Sequence, residues 1–136
     1  MDIQIRLNQI KRNKYLINVL KNEILELDSK VKSVKALSYD SKIGVNTSHD
    51  NSTERMIYSF LNKKEIKFRF MESLEQENEE LLNLVLNLEN SNQSKVLYSK
   101  YFEGKTVKEI AYEMGHSREW VSRTKKKGIQ KLVKKA

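Results

Sequence analysis

Cysteine and proline do not occur among the 136 residues. Without cysteine there is no disulfide, no thiolate metal site and no cysteine nucleophile. Without proline, and with glycine only at positions 44, 104, 115 and 128, little interrupts a helix. No apolar run approaches the ~18 residues that a membrane span requires. The opening MDIQIRLNQIKR alternates polar and apolar residues, unlike a secretory signal. A soluble, cytoplasmic chain is expected. Hydrophobic residues make up 38% and charged residues 32%, and the charges are interleaved with periodic apolar positions. That pattern favours exposed helices over disorder.

The net charge of +8 is unevenly placed. Residues 1–90 hold 14 Lys/Arg and 14 Asp/Glu, whereas residues 91–136 hold 12 and 4. The whole excess therefore lies in the last third. A compact basic segment joined to a neutral one points to a polyanion-binding module on a carrier, or to a basic tail that aids solubility.

The neutral part has apolar residues at heptad spacing. Ile3, Ile10, Ile17, Ile24 and Val31 occupy one row, and Leu20, Leu27 and Val34 its partner row. Arg6 and Asn13 break the second row, while Leu7, Leu16 and Leu37 widen the stripe. The spacing predicts one long helix from about residue 2 to about 37. SYDSKIGVNTSHDNS, residues 38–52, has loop composition. A second helix is predicted from about 53 to 89, with Asn51 and Glu54 as a capping box. Ile57, Met71 and Val85 share one row, and Phe60, Leu74, Leu81 and Leu88 the other, with Leu61, Phe68 and Leu82 on the flank. Lys64, Lys67 and Asn78 interrupt these rows. Each stripe needs a cover. A coiled-coil-like antiparallel hairpin within one chain provides it, and so does pairing between two chains. The acidic run MESLEQENEE spreads its carboxylates around a helix and reads as a solvated face.

Three short helical units follow ENSNQS. Val96, Leu97, Tyr101 and Phe102 give the first an apolar face, ended by Glu103-Gly104. Thr106 and Glu109 form a T-x-x-E capping box for the second, whose buried face is Val107, Ile110, Ala111 and Met114. Gly115 ends it. Ser117 caps the third. Val121, Thr124, Gly128, Leu132 and Val133 mark its inner side, and Glu119, Ser122, Arg123 and Lys126 its outer side. Two short helices joined through a glycine-containing turn, the second opening with long polar side chains, describe a helix-turn-helix. Arg118, Glu119, Ser122 and Arg123 are the candidates for reading base edges in the major groove of double-stranded DNA. Thr106, Ser117, Trp120, Lys125, Lys126 and Lys127 are the candidates for phosphate or groove contact. Glu119 suits either a cytosine amino group or the positive helix N-terminus. Trp120 suits either the DNA or the protein core.

The run VLYSKYFEGKTVKEIAYEMGHSREWVSRTKKKGIQKL resembles region four of bacterial sigma factors. The resemblance rests on Tyr101-Phe102, Gly104, Thr106, Glu109-Ile110-Ala111, Met114-Gly115, Ser117, Val121 and Leu132. A helical hairpin ahead of such a module is similar to phage late-gene activators of the RinA and ArpU type. That resemblance implies a DNA-binding activator of late or packaging genes in a phage or prophage. It also leaves open a sigma-like adaptor that binds RNA polymerase, or a small terminase subunit.

The chain is thus expected to be all-α, with residues 1–90 a hairpin for dimerisation or partner docking and 91–136 a helix-turn-helix domain. A homodimer is expected. His49 and His116 lie in different segments, and no zinc-hydrolase pattern, P-loop or dinucleotide fingerprint occurs. The expectation is no enzyme, no catalytic residue, no metal and no cofactor.

Overall fold

The computed structural model describes residues 2–42 and 52–135. The described residues are helical and contain no strand. The helices are α1 (Ile3–Asn8), α2 (Ile10–Lys42), α3 (Ser52–Leu86), α4 (Ser91–Leu97), α5 (Val107–Met114) and α6 (Arg118–Lys135). A π-helical turn, Tyr98–Phe102, continues α4. The fold is all-α, two long helices followed by a small C-terminal helical domain. The chain forms two compact units, Leu16–Ser73 in one and Met1–Tyr15 with Leu74–Ala136 in the other.

Element boundaries depart from the sequence reading in both long helices and at α4; α3 ends at Leu86 rather than near residue 89. The first helix is interrupted at Gln9, where the backbone stays near-helical (φ −89°, ψ −8°) and the N–H turns back to Arg6 O. It then runs on to Lys42, so residues 38–42 are helical rather than loop. Extending an existing helix by a polar turn costs only tenths of a kcal/mol per residue. Residues 43–51, and with them the rest of the expected loop, His49 and the Asn51 cap, lie outside the described residues. Finally, α4 starts at Ser91 because the Asn90 side chain accepts from the N–H groups of Asn92 (3.0 Å) and Gln93 (3.1 Å).

In the Leu16–Ser73 unit, α2 and α3 run antiparallel. Ion pairs join Glu23 to Lys67 (2.6 Å) and Asp28 to Lys64 (2.7 Å), and Lys30 lies over the Phe60 ring. Partner numbers fall on α3 as they rise on α2. The two lysines that interrupt the α3 rows thus have carboxylate partners. These pairs are partly exposed, and each contributes at most ~1 kcal/mol. Leu20, Leu27, Val31 and Met71 are the buried apolar residues described in this unit. Leu25, Leu37, Tyr58 and Ile66 are each more than 60% exposed, so Leu37 does not widen the buried stripe.

The other unit has two apolar clusters. Ile3, Leu7, Ile10, Leu81, Val85, Leu88, Leu97, Tyr101 and Leu132 form the larger. Val96, Ile110, Ala111 and Val121 form the smaller, with Val107, Met114 and Trp120 packed against it. The apolar residues of α1, the first residue of α2 and those at and just past the C-terminal end of α3 therefore share a core with α4, the π-helical turn and α6. Polar contacts fix the register of that core. Arg6 donates to both carboxylate oxygens of Glu77 (2.6 and 3.2 Å), which raises the Arg6 pKa above its ordinary value. Gln4 Nε2 donates to the Tyr101 hydroxyl (2.9 Å), and Lys14 Nζ donates to Phe102 O.

Buried Asn13 donates to Asn78 Oδ1 (3.0 Å), and Asn78 Nδ2 donates to Ile10 O (3.4 Å). Both residues break heptad rows, and each is the other's partner. Asn13→Leu alone is expected to leave Asn78 short of a donor and to cost roughly 1–3 kcal/mol. Adding Asn78→Leu is expected to recover most of that loss in urea unfolding. Equal stability of the single variant and the wild type would show that the pair contributes nothing.

Candidate nucleic-acid interface

The site is built from α5, the turn after it, and α6. The Thr106 side chain accepts from Glu109 N–H (3.2 Å) and donates to the Glu109 carboxylate (3.2 Å), which fixes the start of α5. Ile110 and Ala111 on α5 are buried, while Lys108 and Tyr112 are exposed. Gly115 closes α5 in the left-handed region (φ +67°), and His116 N–H donates to Ala111 O (3.0 Å). The chain then turns at once into α6. Ser117 caps it by accepting from Trp120 N–H (3.1 Å).

α6 has two distinct sides. Val121, Thr124, Gly128 and Leu132 are buried. Gly128 sits where α4 crosses: a Cβ there would lie 2.9 Å from Leu97 Cδ1 and 3.3 Å from Gln93 Cβ. Val133, which spacing assigned to the inner side, is 55% exposed. It lies one residue past Leu132, a rotation of ~100° that carries it out of the crossing.

The four candidate base-reading residues, Arg118, Glu119, Ser122 and Arg123, are all exposed in the first turns of α6. Their spacing places them on one broad solvent-facing side. The contact candidates separate. Thr106 and Ser117 are exposed and occupied as caps, each at the N-terminus of a helix. Lys126 and Lys127 are exposed, whereas Lys125 is half-buried. Consecutive helical residues point ~100° apart, so the three lysines do not address one surface. Trp120 is half-buried against the smaller core cluster, and its ring stacks on His116 with centroids 3.6 Å apart and planes 10° apart. One side of the indole thus meets the core and a ring face meets His116. Sequence reasoning gave His116 no partner. The i, i+4 spacing of His116 and Trp120 is the signal that could have paired them.

Charge is sorted within the site. Lys105 is held by Glu113 (2.8 Å) and Glu103 (3.4 Å), and the hydrogen bond to Glu113 is the main reason its pKa is raised. Among the described residues, no ion pair involves Arg118, Arg123, Lys126, Lys127, Lys131 or Lys134. Beyond Glu119 the sequence of α6 contains no acid. The result is a set of uncompensated cations running along α6 from its first turn to its last.

Residues 90–134 match the profile of the family described as Sigma-70, region 4. This stretch, about a third of the chain, is a sigma region 4-like DNA-binding helix-turn-helix, with α5 and α6 as its two helices. Nothing in the match extends to the RinA and ArpU type. No curated protein and no solved structure matches the chain significantly.

The two glycines differ in what they require. Gly128→Val is expected to force Leu97 out of place within a closed core and to lower stability by roughly 1–3 kcal/mol or more. At Gly115 there is open space for a side chain. Gly115→Ala is therefore expected to cost only the left-handed backbone penalty, about 1–2 kcal/mol, and Gly115→Asn less. Thermal unfolding of the three variants tests the order. A Gly128→Val protein as stable as wild type would contradict the close crossing.

Proposed function

We propose that this protein is a sequence-specific regulator of transcription that binds double-stranded DNA through α6, and that it serves as a late-gene activator of a phage or prophage. The observation that carries the reading is a sigma region 4-like helix-turn-helix whose second helix opens with Arg118, Glu119, Ser122 and Arg123 exposed. In such a geometry Arg118 and Arg123 donate hydrogen bonds to guanine edges, Ser122 donates or accepts, and Glu119 accepts from cytosine. The N-termini of α5 and α6 at Thr106 and Ser117, with Lys126 and Lys127, hold phosphates. Residues 91–136 supply this DNA-binding function, and the remainder supplies dimerisation or partner docking. The protein acts by binding, without a metal, a cofactor or a catalytic step, and in the cytoplasm, where the DNA is. No described helix is long and apolar enough to cross a membrane.

The homodimer is part of the proposal. Leu61 and Phe68, seven residues apart on α3, are 42% and 44% exposed, with Tyr58 beside them. That exposed apolar row gives a second copy something to bury. It also favours a second reading, a sigma-like adaptor that docks on RNA polymerase.

Selection of bound sites from random duplex DNA is expected to return a defined sequence. Arg118→Ala and Arg123→Ala are each expected to weaken binding to it by roughly 1–3 kcal/mol. Unchanged affinity in both would remove α6 as the reading helix. Mass in solution is expected to be that of a dimer, and that of a monomer in Leu61→Glu/Phe68→Glu. A ring-sized oligomer would favour a terminase subunit instead, and capture of polymerase without DNA would favour the adaptor.

A further inference from the structure

α6 is longer than base reading needs. Its 18 residues span about 27 Å, whereas a major groove is about 12 Å wide. The four candidate reading residues occupy only its first turns. The C-terminal half therefore emerges over the sugar–phosphate wall of whatever groove the N-terminal half enters.

The side chains along that half are not evenly distributed. Arg123, Lys127, Lys131 and Lys134 follow one another at intervals of four, four and three residues, and all four are exposed. With 3.6 residues per turn this makes one continuous row along a single flank of the reading face, about 17 Å from first to last. On the opposite flank Ile129 is half-buried and Leu132 is buried against Leu97 and Tyr101. Among the described residues, the exposed cations of α6 past Lys127 that have no protein partner are Lys131 and Lys134, both on this flank. None of the four has a carboxylate partner among the described residues, unlike Lys105, Lys64 and Lys67. The row is also held firmly. Leu132 is fully buried, and Lys135 Nζ donates to Asn87 O (3.2 Å), which ties down the last turn.

We propose that Lys131 and Lys134 extend the DNA contact as a one-sided basic rail, lying against the phosphates of one strand beyond the base pairs that α6 reads. This rests on the reading of α6 as a duplex-binding helix. Exposed ammonium groups at helical spacing recognise a regularly spaced polyanion, and each phosphate they neutralise releases condensed counterions. The rail adds affinity that salt removes, and it adds no sequence preference.

The test is the salt dependence of affinity for the selected duplex, using the full chain. Lys131→Gln and Lys134→Gln are each expected to reduce the slope of log K against log salt by about 0.9, and the double variant by about 1.8. The selected sequence is expected to stay the same, and ethylation interference is expected to lose its outer phosphates on one strand only. Glutamine is a good helix former, so helicity by circular dichroism is expected to be unchanged. Lys32→Gln, an exposed lysine on α2, is the control for overall charge, and its slope is expected to match wild type. An unchanged slope in the double variant overturns the rail while leaving the reading helix standing. So does an equal drop in Lys32→Gln, or a loss of polymerase capture with duplex binding intact. Failure of the wild type to bind any duplex at any salt overturns the rail and the DNA reading together.

Discussion

The crossing of α4 over α6 at Gly128 is the constraint on which the rest of the C-terminal unit depends. Because Gly128 has no side chain, Leu97 and Gln93 come to within a methyl group of the α6 backbone. Leu97 and Leu132 can then belong to the same core as Ile3, Leu7, Ile10 and Tyr101. That core fixes the rotation of α6 about its own axis. Once Val121, Thr124, Gly128 and Leu132 face inward, Arg118, Glu119, Ser122 and Arg123 have nowhere to face but solvent. A glycine inside a helix costs ~1 kcal/mol relative to alanine, and here the close packing offsets it.

A second constraint comes from polar residues placed inside apolar rows. Arg6, Asn13, Lys64, Lys67 and Asn78 each interrupt a heptad row, and each is paired: with Glu77, Asn78, Asp28, Glu23 and Asn13 respectively. Apolar stripes alone tolerate sliding of one helix along another, because leucine packs against leucine at many offsets. A buried amide pair or a carboxylate clamp is satisfied at one offset only. The departures from the repeat therefore specify alignment, while the repeat itself supplies burial.

Local signals were legible in the sequence, and tertiary partners were not. Thr106, Glu109, Gly115 and Ser117 act within one helical turn, and the structure has their capping bonds and left-handed turn where the residue types placed them. The heptad rows identified Ile3 and Ile10 as buried. They did not say that the covering residues include Tyr101 and Leu132, since periodicity names a face and not its neighbour. Val133 was misplaced because adjacent apolar residues near a helix end look alike on paper, although a rotation of ~100° separates them. Residues 38–42 looked like loop because Ser and Asp favour turns, yet weak propensities yield to an established helix. The grouping of Lys125, Lys126 and Lys127 as one feature had the same origin. A run in sequence becomes three directions on a helix.

Trp120 is the chain's sole tryptophan, and its position turns a packing detail into an optical property. Its indole touches the smaller core cluster, and its ring stacks on the His116 imidazole in the turn between the two helices. Emission excited at wavelengths too long for the six tyrosines to absorb therefore originates at the joint between α5 and α6. The protein carries its own fluorophore at the one point where a change in the seating of α6 would alter that fluorophore's surroundings.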